Sequence, residues 1–139
     1  MTITATLKNS LQQNDISVAT GGNRKGIAIP SKPNGQGSSV NGGELLFLAL
    51  ATCICNDIYR EASRRNINIK SVEVNVTGEF GMEGEPASNI SYKVNIESDT
   101  PKNEIIELIN YVDTVAEIHN TLRKGVNVSL QNEIQQMNM

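Results

Sequence analysis

The sequence predicts an α+β domain in which antiparallel sheets are wrapped around one long central helix. Three observations predict it. Apolar and polar residues alternate near the start and again in the middle of the chain. A segment free of Gly and Pro runs from Glu44 to Arg65 between those strand-like regions. A helical apolar stripe then follows the second of them. At 139 residues the chain fits a single domain, residues 1–139. That length buries a sizeable core without disulfide or metal staples.

The first forty residues read as short strands and turns. Ile3, Ala5 and Leu7 alternate with Thr2, Thr4 and Thr6. Ile16 and Val18 follow, Gly21-Gly22-Asn23 marks a turn, and Ile27 and Ile29 resume the extended pattern. Pro30 to Gly42, rich in Gly, Ser, Asn and Pro, is a loop. From Glu44 the composition changes to Leu, Ala, Glu and Arg, which favours a helix. Leu45 to Ala51 is apolar on every face, so this end belongs in a core or at a subunit interface. Asn56, Asp57, Arg60, Glu61, Arg64 and Arg65 make the second half polar, and the helix is expected to emerge into solvent there.

Val72, Val74 and Val76 alternate with Glu73, Asn75 and Thr77, and Ile90, Tyr92, Val94 and Ile96 alternate with Ser91, Lys93, Asn95 and Glu97. With Gly81, Gly84 and Pro86 between them, the two runs predict an antiparallel hairpin with one buried face. Ile105, Leu108, Ile109, Val112, Val115, Ala116, His119 and Leu122 then share a helical stripe. A break is expected near Asp113, with Thr114 and Glu117 at capping-box spacing for a short new helix. Gly125 after Arg123 and Lys124 is a stop signal. Val126, Val128 and Leu130 predict a last strand, and the polar residues to Met139 are expected to fray.

Net charge is −3, with no strongly basic face. Nucleic acid and anionic membrane surfaces are therefore not expected partners. The longest apolar run, Leu45 to Cys55, is about half the ~20 residues that span a bilayer, and Asn56 and Asp57 follow it. The N-terminal residues lack the apolar core of a secretory signal. The expected location is the cytoplasm. Two cysteines one residue apart, Cys53 and Cys55, do not make a secreted disulfide scaffold, so reduced thiols are expected.

The chemistry concentrates in Thr52-Cys53-Ile54-Cys55-Asn56-Asp57. On a helix, residues two apart point about 200° apart. Cys53 and Cys55 therefore meet different neighbours, and neither a mutual disulfide nor a shared metal site suits them. Cys53 shares its face with Ala49, Leu50, Asn56, Asp57 and Arg60; Cys55 shares one with Ala51, Thr52, Ile58 and Tyr59. A thiol becomes nucleophilic where a cation favours the thiolate, so Asp57 alone opposes reactivity and an arginine promotes it. Both cysteines also fit as small buried hydrophobes. His119, on the buried stripe, reads as a satisfied core or interface residue. Glu44 suits a helix start by the dipole alone.

The run Gly42-Gly43-Glu44-Leu45-Leu46-Phe47-Leu48-Ala49-Leu50-Ala51-Thr52-Cys53 resembles the cysteine-bearing helix of the OsmC/Ohr family. Ala116-Glu117-Ile118-His119-Asn120-Thr121-Leu122 is similar to that family's second-cysteine motif, which typically reads Cys-Pro-x-x-Asn-Thr-Leu. Thr20-Gly21-Gly22-Asn23-Arg24 resembles its arginine-bearing turn. The resemblance implies an intertwined homodimer with two long helices at its centre and sites at the dimer interface. It also implies a cytoplasmic peroxidase of oxidative stress defence, in which a reactive cysteine attacks an organic hydroperoxide. Carried onto this chain, Cys53 is the attacking thiol. Arg24 is the nearest match to the activating arginine, next to Asn23 at the aligned position. Glu44 matches the acidic position of many broader members; in the organic-hydroperoxide group that residue falls one earlier, where this chain has Gly43.

Ala116 stands where the second, resolving cysteine belongs. The usual two-cysteine cycle is therefore replaced by a single-cysteine one that needs an external thiol reductant and no bound cofactor. Two readings stay open. One is a thiol-dependent organic hydroperoxide reductase using Cys53, Arg24 and Glu44. The other is a non-catalytic protein of the same fold that binds a small hydrophobic ligand at the dimer-interface cleft.

Overall fold

In a computed structural model, described for residues 1–131, the elements in chain order are β1 (Ile3–Ser10), β2 (Gln13–Thr20), β3 (Asn23–Gly26), α1 (Gly42–Arg64), β4 (Ser71–Glu79), β5 (Ser88–Glu97), α2 (Lys102–Val115) and α3 (Glu117–Lys124). The protein is α+β, with a three-stranded antiparallel sheet β1-β2-β3 and a two-stranded sheet β4-β5. The chain divides into two compact units, residues 1–48 and 49–139, with the boundary inside α1. The tail expected to fray lies beyond the described residues, apart from Gln131.

In the first unit β1 pairs with β2 from Ile3↔Thr20 to Ser10↔Gln13, so the connection is two residues long. Leu11 and Gln12 both have positive φ (50° and 65°), the backbone that a twisted two-residue hairpin demands. β3 is shorter than the apolar pattern suggests. It ends at Gly26, and Ile27 contributes one more bond, its N–H donating to the Ile16 carbonyl at 3.0 Å, before the chain turns irregular through Ile29. β1 is exposed at all eight positions. The start of α1 is fixed by a reciprocal cap: the Glu44 N–H donates to Asn41 Oδ1 (2.8 Å) and the Asn41 N–H to Glu44 Oε1 (2.9 Å).

The second unit holds the apolar core. Ile54, Ile58 and Ala62 of α1 meet Leu108 and Val112 of α2 and Ala116, all buried. The i, i+4, i+8 spacing on α1 puts its three contributors in one row. Val72, Val74, Tyr92, Val94 and Ile96 cover that row from the hairpin, where Val74 opposes Val94 and Val72 opposes Ile96. Alternation down β4 is regular, with partly buried and exposed residues taking turns.

Three expectations are corrected. In the single chain, the buried residues of α1 are Leu50, Ile54, Asp57, Ile58 and Ala62, whereas Leu48 is 59% exposed. Burial thus lies towards the middle and C-terminal end of the helix, where the hairpin and α2 pack on Ile54, Ile58 and Ala62. α1 is long and apolar enough to cross a membrane by length and composition. Its buried row against α2 and the hairpin is what a core helix presents.

The break between the last two helices falls at Ala116, which is extended (φ −65°, ψ 106°), and α3 has no side-chain N-cap. Thr114 instead turns back, its hydroxyl donating to the Tyr111 carbonyl at 2.6 Å. Asn120 and Arg123 do the capping from the other side. Asn120 Nδ2 donates to the Thr114 carbonyl (3.0 Å), and Arg123 Nη1 donates to the Asp113 carbonyl (3.0 Å) and to Asn120 Oδ1 (3.1 Å). They satisfy carbonyls that a helix end leaves open. Gly125 ends α3 in the left-handed region as expected, its N–H directed at the Thr121 and Leu122 carbonyls. Val126, Val128 and Leu130 form no strand; Val128 is 93% and Leu130 89% exposed, and no described strand offers them a ladder.

Candidate functional site

Cys53 sits half-buried at the edge of the core, packed against the cluster that contains Ala116. One turn on, Asp57 lies on the same face, and the Cys53 Sγ–H points at Asp57 Oδ2 at 4.0 Å. Asp57 is only 7% exposed, and its other oxygen, Oδ1, takes the Arg60 guanidinium at 2.8 Å. A buried carboxylate needs such a partner. Thiol, carboxylate and guanidinium therefore run along one side of α1, as helical spacing from residue 53 to residue 60 dictates.

Cys55 looks elsewhere, into a separate shallow cleft of about 240 Å³ with Ala51, Asn56, Val72 and Val74. Both thiols are free. The two thiols face different surroundings as the sequence predicts, but Asn56 lies with Cys55 and Ile58 with the cluster that Cys53 packs on, the reverse of the expected assignment.

Arg24 stands on β3 opposite Ala19 and is exposed. Glu44 is engaged in the α1 cap with Asn41. It precedes Cys53 by nine residues of one helix, about 14 Å of rise, so it does not orient the thiol of its own helix.

A second constellation lies in the same unit as Cys53. Tyr92 of β5 donates its hydroxyl to Asp113 Oδ1, which also receives Arg123 Nη2 at 2.8 Å. Burial first, and the carboxylate beside it second, hold the Tyr92 phenol protonated well above the usual tyrosine range. The hydrogen bonds from Tyr92 and then Arg123 hold Asp113 below the usual carboxylate range. The Tyr92 ring meets His119 edge-on, centroids 4.9 Å apart.

His119 is 6% exposed, and among the described residues neither ring nitrogen has a hydrogen-bond partner. The reading of a satisfied core histidine is corrected: the residue is in the core and unsatisfied. Burial first, and the Arg123 charge second, push its pKa below the ordinary value, so the imidazole is neutral. The sequence marked His119 as buried. It carried no hint that Tyr92, Asp113 and Arg123 would converge there, since they come from three different elements.

A family model described as "OsmC-like protein" matches residues 35–131, well over half of the chain. The chain belongs to the OsmC family. Solved structures agree on the fold. An OsmC-like protein from Mycoplasma pneumoniae is 24% identical, with 88% of this chain and 86% of that one covered and a TM-score of 0.61. The organic hydroperoxide resistance protein OhrB of Bacillus subtilis is 21% identical over 94% and 97% of the two chains, with a TM-score of 0.55. A Vibrio cholerae protein described as an organic hydroperoxide resistance protein, with captopril bound in one of its active sites, is 18% identical over 86% and 84%, TM-score 0.54. No curated protein matches the chain. In this OsmC-family chain Ala116 is fully buried within the cluster that Cys53 packs on.

Proposed function

We propose that this OsmC-family protein is a single-cysteine, thiol-dependent peroxidase that reduces organic hydroperoxides in the cytoplasm. The observation that carries the reading is the placement of Cys53: a free, half-buried thiol at the edge of an apolar core, hydrogen-bonded to a carboxylate that is itself neutralised by Arg60. The names of the Bacillus subtilis and Vibrio cholerae proteins, which refer to organic hydroperoxide resistance, support it.

In the proposed cycle Cys53 Sγ bonds to the terminal peroxide oxygen as the O–O bond breaks. The departing alkoxide takes up the thiol's proton and leaves as the alcohol, and Cys53 becomes a sulfenic acid. An external thiol then displaces water to form a mixed disulfide, and a second one frees Cys53 and leaves as the disulfide. External thiol is required because Ala116 offers no sulfur and Cys55 faces another cleft.

We assign Arg24 the activating charge and Glu44 an orienting role. Glu44 lies too far along α1 from the Cys53 of its own chain, and in this reading it serves the thiol of a second copy, in a homodimer. The exposure of β1 along its whole length favours such a partner.

The test is peroxide consumption with cumene hydroperoxide and dithiothreitol. The native chain is expected to outpace Cys53→Ser by at least about a hundredfold, with Cys55→Ser close to native. Equal rates for the native chain and Cys53→Ser would overturn the reading.

A further inference from the structure

Next to the Tyr92–His119 contact the second unit holds a cavity of about 320 Å³. Leu50, Val76, Ile90 and Leu122 form its apolar walls, and His119 and Arg123 are among the polar groups that line it. The volume is at the small end of ligand sites, where apolar walls set size and a few polar groups set orientation. Cys53 does not line the cavity, although Tyr92, which does, lies within electrostatic reach of the thiol.

His119 is the observation that demands an explanation. A neutral imidazole has one N–H to give and one lone pair to receive. Leaving such groups unpaired in a core costs about 1–3 kcal/mol. The residues packed around it do not relieve this: the Asp113 carboxylate of α2 is taken by Tyr92 of β5 and Arg123 of α3, and Asp57 of α1 is taken by Arg60. Arg123, half-exposed, is the charged group lining the cavity, and its charge is positive.

We propose that this cavity binds a small carboxylic acid with a compact aliphatic body, the carboxylate accepting hydrogen bonds from the His119 imidazole and the Arg123 guanidinium. An anionic, two-oxygen head satisfies both donors at once. Arg123 already pairs with the Asp113 carboxylate at 2.8 Å, so the ligand's head takes up guanidinium N–H groups that this pair leaves over. The aliphatic body occupies the space between Leu50 and Ile90.

The experiment uses the full-length native chain without peroxide, with hexanoate and hexan-1-ol as probes and methyl-labelled Ile, Leu and Val read by NMR. His119 is the only histidine, so its ring protons give one unambiguous signal. Hexanoate is expected to move the His119 signal and the Ile90 and Leu122 methyls together and saturably, and to raise the imidazole pKa. Hexan-1-ol is expected to bind at least about tenfold more weakly. His119→Leu and His119→Gln are each expected to weaken hexanoate by about tenfold while the chemical-shift pattern of the fold persists. Hexan-1-ol binding as tightly as hexanoate, absence of hexanoate shifts up to about 10 mM, or unchanged hexanoate affinity in whichever His119 variant folds overturns the proposal. Peroxide turnover by Cys53 is a separate measurement, and neither result decides the other.

Discussion

A buried, neutral, unpartnered imidazole ties the fold's stability to pH. His119 has its pKa depressed in the native state, while in the unfolded chain it returns to about 6.5. Below that value the unfolded chain binds a proton that the native chain refuses. Stability contributed by the neutral form is therefore complete above about pH 6.5 and is lost as pH falls towards the native pKa. Urea midpoints are expected to decline as pH falls below about 6.5 in the native chain, and His119→Leu should flatten that limb. An equal slope in both proteins would contradict it. The residue scale is also where the sequence said most about the thiols: i, i+4 spacing alone paired Cys53 with Asp57 and sent Cys55 the other way. It could not reveal Asp113 as the shared acceptor of Tyr92 and Arg123, because that contact depends on how the hairpin and the two last helices pack.

Among the elements, α1, the β4–β5 hairpin and the stripe through α2 and α3 were legible, since each carries a strong period of its own. The turn at Leu11-Gln12 was not, because neither residue advertises positive φ. The break before α3 was misplaced for a related reason. Thr114 and Glu117 have the spacing of a cap, yet the capping comes from behind, from Asn120 and Arg123, whose targets are carbonyls of the preceding helix. The expected strand at Val126–Leu130 failed because alternation creates a strand only where a neighbour supplies hydrogen bonds. Asn120→Ala removes the bond to the Thr114 carbonyl and loosens Arg123 together. We expect a loss of about 1–2 kcal/mol in urea unfolding with little change in the slope, and a change below about 0.3 kcal/mol would remove Asn120 from this role.

At the level of the whole molecule the two units are unequally furnished. The apolar cluster lies in the second, whereas among residues 1–48 no apolar side chain reaches full burial. Ile3 and Leu7 on β1 are 63% and 50% exposed. A small sheet whose first strand is exposed at every position is marginal in water, which is the physical ground for the proposed second copy. Light scattering on a sizing column is expected to give twice the 15.1 kDa chain mass, with a melting temperature that rises with protein concentration. A concentration-independent melt at the mass of one chain would sink the dimer and with it the role given to Glu44.

The opposed outlooks of Cys53 and Cys55 carry a practical consequence for anyone measuring oxidation. No lysine or arginine lies between them, and the nearest ones are Lys32, followed by proline, and Arg60. Trypsin thus releases both sulfurs on one long peptide, whose mass gain cannot say which was modified. Only fragmentation between the two, across Ile54, turns a bulk count of lost thiols into a statement about a single address.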